Sequence, residues 1–461
     1  MILSNYWNSA WRSLTKKKGF STINIVGLAI GMAAALLILT YVAFEYSYDD
    51  IHTRQDRIFR VEARFFENGE LTDDWASSSA GYATAMKQNM SGIEDYTRVG
   101  SQYYPEQVVK YNELLYRETG IGYAEANFFN FFDFKLLKGN KENCLDGPNK
   151  VVITERIAHK YFKGENPIGK ILIFRSNIGE EACEVTGIME DMPVNTHVRY
   201  SLLISYKTLP KWMDEYWYRH EVYSYVLLKS ANLKTQVEDN FPKMAEKYKT
   251  EEALKNRTWA IQLTNLRDIH LNSQKAYEPE VKGNRSSIWV LICTALAILC
   301  IAWINYINMT VARSMERAKE IGIRRASGAS RRQVVFQFLF ESLVTNSIAF
   351  ILAVGLMEAL MPSFNNLTGR ALSFSVWFTT SLGWYLLLIF AIGVFLSGFY
   401  PATILSGIKP IRMLKGKFTH TRGATVTRKV LVVLQYTASL VLLCGIGIAA
   451  TAVCAQNGWV A

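Results

Sequence analysis

Acidic residues are scarce at both ends of this 461-residue chain: outside 46–285 there are five, against 19 basic residues. Within 46–285 the count is 32 basic and 35 acidic, so the net charge of +11 belongs to the flanks. A basic balance confined to stretches beside apolar runs fits a membrane surface and sets nucleic acid aside as a partner. Cysteine is also rare, and none of the six has a neighbour at zinc or redox spacing. Cys293, Cys300, Cys444 and Cys454 fall inside apolar runs and read as small hydrophobes. Cys144 and Cys183 lie in the polar region, where one disulfide is open to them in an oxidising compartment. The six histidines show no HExxH or Cys/His pattern and no GxSxG elbow occurs, so no metal, cofactor or catalytic nucleophile is expected. GENPIGKI at 164–171 matches the start of a phosphate-binding loop, with Gly164, Gly169 and Lys170 in place. Ile171, however, stands where Ser or Thr must hold magnesium, and Asn166-Pro167 reads as a turn.

What the chain has is apolar runs long enough to cross the ~30 Å hydrocarbon core. Residues 1–20 carry Trp7, Trp11 and Leu14 beside Arg12 and Lys16 to Lys18, the composition of an amphipathic helix lying in the interface on membrane lipid. Spans are expected at 21–45, 286–310, 334–361 and 376–400, the last ended by Pro401, with a fifth at 430–454 before a tail at 455–461. In the first span Gly27 and Gly31 stand four apart and Ala35 continues the row, a spacing that lets two helix backbones approach. Basic residues number four before the first span, seven in 311–333 and seven in 401–429, while the loop 362–375 has Arg370 alone. By the positive-inside rule the amino terminus and both basic segments are cytoplasmic, and 46–285 lies outside. That long region alternates strand signals (59–66, 107–111, 151–154, 184–189) with helical ones (154–161, 233–256) and reads as α+β.

The segment 312–332, ARSMERAKEIGIRRASGASRR, holds seven basic residues against Glu316 and Glu320 between two spans. Met315, Lys319 and Ile323 recur every four residues among good helix formers, as on a surface helix. Gly328, with Ser327 and Ser330, offers a stop before the next helix.

The stretch ERAKEIGIRRASGASRRQVVFQFLFESLV resembles the coupling segment of MacB/FtsX-type ABC-transporter permeases. Four stretches of the polar region are similar to the extracytoplasmic core domain of that family: YDDIHTRQDRIFRV, ANFFNFFDFKLLKGN, VVITERIAHKYFKGENPIGK and VTGIMEDMPVNTHVRYSLLIS. The resemblance implies a non-catalytic permease subunit in a bacterial inner membrane: an α-helical bundle of four spans plus a fifth, with a large α+β extracytoplasmic domain between spans one and two. It implies a separate cytoplasmic ABC ATPase as partner, a second permease copy or homologue, and a periplasmic adaptor. The coupling residues it marks are Glu316, Lys319, Glu320, Ile321, Gly322, Ile323, Arg324, Arg325 and Gly328. Ile321 and Ile323 are expected to dock on the ATPase. Export or release of substrate is the implied work, with a signal relay that activates a cell-wall hydrolase or senses a ligand, without transport, as the alternative. RKVLVVLQYTASLVLLCGIGIA from Arg428 looks like the opening of a second half, so truncation early in that half is a further expectation.

Overall fold

A computed structural model describes residues 2–16, 18–100, 106–176, 179–212, 217, 222–249, 257–273, 275–279, 283–316, 318–379, 383–406 and scattered positions in 429–440. Most of the expected fifth span and most of the basic stretch 401–429 lie outside the described residues. The chain divides into a helical unit (1–46 and 286–461) and an α+β unit (47–285). The helical unit opens with α1 (Ile2–Lys16) and α2 (Lys18–Tyr46). In α1, Trp7 and Trp11 are exposed while Ala10 is buried, and the rings of Tyr6 and Trp7 meet Phe340 at 6.3 and 6.4 Å.

In the α+β unit thirteen strands among the described residues form one mixed sheet. In chain order they are β1 (Ile58–Glu67), β2 (Glu70–Trp75), β3 (Ile93–Gly100), β4 (Glu106–Tyr111), β5 (Leu114–Thr119), β6 (Ile121–Ala124) and β7 (Leu136–Lys138). Then come β8 (Lys150–Thr154), β9 (Ile171–Ser176), β10 (Gly179–Met189), β11 (Leu202–Ser205), β12 (Val222–Leu228) and β13 (Arg257–Asn265). Their order is β13-β1-β12-β3-β6-β11-β8-β10-β9-β4-β5, with β2 on β1 and β7 on β10. The pairs β8–β10 and β6–β11 are parallel and the remaining pairs antiparallel. Helices α3 (Ala80–Asn89), α4 (Phe128–Phe131), α5 (Glu155–Phe162), α6 (Lys234–Ala245) and α7 (Leu266–Asn272) pack around it.

Local chemistry sets these elements. Thr154 ends β8 in extended backbone and its hydroxyl accepts from Ile157 N, so strand turns to α5 at an N-cap, with Glu155 in the first turn. The run FFNFFDF buries Phe128, Phe129, Phe131, Phe132 and Phe134 in one core; truncating any of them to Ala costs ~3–5 kcal/mol. A second core gathers Tyr82, Phe241 and Trp259 under α3 and α6. The helix expected over 233–256 is shorter: α6 ends at Ala245, one 3-10 turn follows to Tyr248, and 250–256 lies outside the described residues. Tertiary contacts stop it there, since Tyr248 stacks on Trp217 at 4.1 Å and Lys249 Nζ donates to Arg257 O at 2.7 Å. Cys144 and Cys183 are both free thiols buried in different cores, where desolvation pushes them up to about 11 and about 12. In the phosphate-loop look-alike, Gly169 N donates to Val185 O at 2.8 Å and Lys170 N to Pro167 O at 3.1 Å. One amide is spent on β10 and the other on the turn.

The rest of the helical unit comprises α8 (Arg285–Glu316), α9 (Ala318–Ala326), α10 (Arg331–Thr368), α11 (Val376–Thr379) and α12 (Gly383–Ser406). Among the described residues four helices are long and apolar enough to cross a membrane: α2, α8, α10 and α12. Several boundaries differ from expectation: α8 continues past 310 to Glu316, and α10 starts at Arg331, ahead of 334. The third helix runs to Thr368, past 361 and through Pro362, until Gly369 at φ +64 stops it. The fourth begins with the separate turn α11 and continues through Pro401 to Ser406. Pro401 does not end it, because the following Ala402 is fully buried in a cluster with Ile321, Val334 and Phe338. Packing holds that last turn against the loss of one backbone hydrogen bond.

Candidate functional site

The basic segment folds as its residue types require. Ser330 caps α10: its hydroxyl accepts from Gln333 N, and the Gln333 side chain accepts from Ser330 N at 2.9 Å, a complete capping box. Ahead of it, Ala329 N donates to Arg324 O at 3.1 Å and Gly328 N to Arg325 O at 3.2 Å. These two bonds form a Schellman ending to α9, and Gly328, at φ +98, supplies the left-handed residue the motif needs. Hence α9 and α10 meet at a tight corner rather than through a loose loop.

That corner separates two residues the sequence treats alike. Ile321 is 5% exposed and packs on Val334, Phe338 and Ala402, whereas Ile323 is 52% exposed. Ile321 therefore anchors α9 to its own chain, and the outward apolar surface expected of the pair falls to Ile323. Gly322 is buried, Glu320, Arg324 and Gly328 are exposed, and Arg325 is half-buried. The side chains of Glu316 and Lys319 lie outside the described set. Arg324 Nη2 sits 3.1 Å from Glu320 Oε1, one turn earlier. Its Nη1 donates to Gln337 Oε1 at 3.0 Å, and Gln337 Nε2 donates to Glu341 Oε1 at 3.0 Å.

Behind the corner the helices pack on small residues. A Cβ placed on Gly31 of α2 would come within 2.6 Å of Ala302 Cβ on α8, while one on Gly27 meets Asn305 Nδ2 at 3.8 Å. On α12, Gly393 lies against the Trp303 ring and Gly398 against Leu339 and Ser342. A polar seam joins α10 to α12: Ser342 and Ser397 hydroxyls are 2.7 Å apart, and Asn346 Nδ2 donates to both and to Ser342 O. The i, i+4 spacing of Ser342 and Asn346 in an apolar run is the signal that could have marked this seam, which sequence reasoning passed over. Further along, Trp377 Nε1 donates to Thr40 Oγ1 at 2.9 Å, and Arg370 pairs with the buried Glu45 at 3.5 Å.

In the α+β unit, the two segments by which the chain enters and leaves are locked into its base. Asp49 accepts from Thr196 Oγ1 at 2.7 Å and lies 2.8 Å from His197 Nδ1, while His197 Nε2 is 3.0 Å from Tyr225 OH. Burial pushes the Asp49 carboxyl up, but the His197 charge and the bonds from His197 and Thr196 outweigh it and hold the group below its ordinary value. Tyr48 stacks on His270 with centroids 3.4 Å apart. Arg60, fully buried, is bidentate to Glu278 at 2.7 and 2.8 Å and pairs with Glu62 at 2.7 Å; Lys275 reaches Glu62 and Asp74. Burial alone would lower the Arg60 guanidinium, but Glu62 and Glu278 raise it above its ordinary value. Nearby, burial depresses His52 to about 4, and its Nδ1 accepts from Asp133 N at 3.1 Å. Among the described residues no group of three or more His, Cys, Asp or Glu is placed to hold a metal ion.

Comparison with known proteins gives two domain matches. Residues 21–243 match the family model of the MacB-like periplasmic core domain, and 292–410 that of the FtsX-like permease C-terminal domain. The macrolide export ATP-binding/permease protein MacB of Campylobacter jejuni is 24% identical over 72% of this chain and 47% of its own length. That of Neisseria meningitidis is 27% identical over 55% of this chain and 38% of its own. This chain thus spans less than half the length of these two relatives. Among solved structures, a domain of a permease protein from Porphyromonas gingivalis is 20% identical with a TM-score of 0.41, covering 46% of this chain and 91% of that one.

Proposed function

We infer the function from one premise: the chain belongs to the MacB/FtsX-type ABC transporter permeases, with a MacB-like periplasmic core and an FtsX-like permease domain. As such it is a membrane protein with an extracytoplasmic domain. The reading built on this is that the chain takes conformational work from a separate cytoplasmic ABC ATPase through α9 and delivers it along α2 and α8 to the α+β unit. Export, the activity in both relatives' names, is the work proposed. The chain sits in a bacterial inner membrane, with the amino terminus and α9 inside, α10 and α12 as spans three and four, and a second permease copy or homologue and a periplasmic adaptor as further partners.

The observation that carries this reading is the division of labour within α9. Ile321 ties the helix to α10 and α12, so a push on α9 is felt by two spans at once, while Ile323 and Arg324 remain outward. An apolar side chain beside a cation is the pattern of an anchor that fills a pocket within a polar rim. Two buried clusters support the other end of the route: Asp49 with His197 and Tyr225 holds the entry segment of the α+β unit, and Arg60 with Glu62 and Glu278 holds its exit segment.

The test is association of the full chain with its ATPase. Ile323→Asp should weaken it by roughly 30-fold, the equivalent of an anchor worth ~2 kcal/mol, and Arg324→Ala by a smaller, salt-dependent amount. Undiminished association and hydrolysis in Ile323→Asp would remove α9 as the docking element.

A further inference from the structure

Two polar residues in the first turns of α10 have no part in docking, yet they lie between the docking helix and the interior of the bundle. Gln337 uses both ends of one amide: Oε1 accepts from Arg324 Nη1 and Nε2 donates to Glu341 Oε1, each at 3.0 Å. The surrounding charges dictate this orientation. Turned over, the NH2 would face a guanidinium and the carbonyl a carboxylate, and both contacts would repel. Glu341 in turn borders a cavity of about 50 Å³, whose wall takes Leu14 from α1, Asn24 from α2, Tyr306 and Thr310 from α8, and Ser397 from α12. Four spans and the amino-terminal helix thus converge there. A buried water needs ~10–15 Å³ and two to four polar partners, so this cavity is large and polar enough to be hydrated. Around it, Thr345 Oγ1 donates to Glu341 O at 2.9 Å, and the Ser342–Ser397 bond closes one side. The hydrogen-bonded path is continuous from Glu320 and Arg324 on the outward face, through Gln337, to Glu341 at the junction of all four spans.

We propose that Gln337 is a positioning residue which sets Arg324 on the docking face and the Glu341 carboxylate at the polar four-span junction as one unit. A partner that displaces Arg324 then repacks the junction. This rests on the docking role of α9 and adds the device that carries its movement inward. The chemistry at 337 is narrow. A carboxylate there pairs with Arg324 but repels Glu341, an ammonium does the reverse, and an alkyl group severs both. One exchange preserves the path: with Gln337→Glu and Glu341→Gln together, the new carboxylate at 337 accepts from Arg324 and from the new amide at 341.

The experiment is amide hydrogen exchange on the full chain in lipid nanodiscs, with stimulated hydrolysis by its ATPase measured alongside. Gln337→Glu should speed exchange by about tenfold in 318–326 and also change it in 394–398 across the cavity, and should lower stimulation while α9 still binds. The double variant should restore exchange to within about twofold of the original chain and recover stimulation, a rescue that loss of one packing contact would not produce. Unchanged exchange, a change confined to 318–326, or failure of the double variant to restore it would overturn the relay. If the unaltered chain stimulates no ATPase, the docking reading falls on its own, and the exchange data still decide whether Gln337 joins the two regions.

Discussion

His52 shows how one residue's surroundings set a property of the whole unit. It is fully buried between Phe132 and Phe134, its Nδ1 accepts a backbone N–H, and burial takes it from an ordinary value of 6.5 to about 4. The folded state therefore keeps His52 neutral where the unfolded chain binds a proton, so stability is complete above pH 6.5 and falls as pH drops from there towards 4. Such a shift corresponds to about 3 kcal/mol across that window. The expectation is that His52→Gln, which keeps an acceptor for Asp133 N, flattens the loss of stability between pH 6.5 and 4 when unfolding of the full chain is followed by exchange in β1 and β12. A slope identical to that of the original chain would show that His52 does not carry it. Asp49 acts lower on the scale. Its folded value is depressed, so the stability it contributes is present above the usual carboxylate value and is lost as pH falls through the depressed one.

At the scale of elements, close helix approach is decided by which residue a glycine faces. Gly27 and Gly31 occupy one row of α2, but only at Gly31 is the space closed, by Ala302 of α8. Gly31→Val should force these helices apart, at a cost of about 1–3 kcal/mol for overpacking, while Gly27→Ala should cost well under that. Thermal unfolding in detergent reads both, and Ala302→Gly should recover part of the Gly31→Val loss because it removes the Cβ that the new side chain meets. Equal effects at the two glycines would contradict the packing described here. The same reasoning explains the fourth membrane helix. A proline marks a helix end in sequence terms, yet Pro401 is carried through because Ala402 must reach Ile321.

For the whole molecule, the charge pattern makes a topological prediction independent of any side-chain contact. With asparagine 232 replaced, Asn232→Cys should react with an impermeant thiol reagent applied to intact cells, since Asn232 is an exposed residue of the α+β unit. Ser330→Cys, at the α10 cap, should react only after the membrane is opened. Labelling at 330 in sealed cells would invert the arrangement and with it the docking role of α9.

Periodicity and composition by themselves determined the elements that depend on local chemistry. The four long apolar helices, the break at Gly328 and strands such as β1 and β8 are legible because left-handed turns and burial patterns act over a few residues. The ordered motif around 316–328 likewise marked α9 as the segment of interest. Tertiary structure decided which of its residues face which way. Ile321 and Ile323 are indistinguishable as letters, and the inward turn of the first depends on Val334, Phe338 and Ala402, the last of them some 80 residues away. The relay at Gln337 was hidden for the same reason: a glutamine at the start of a span reads as an interfacial residue until the fold sets a guanidinium on one side of it and a carboxylate on the other. Spacing along the chain specifies helix faces, but what stands opposite a face depends on contacts between segments far apart in sequence.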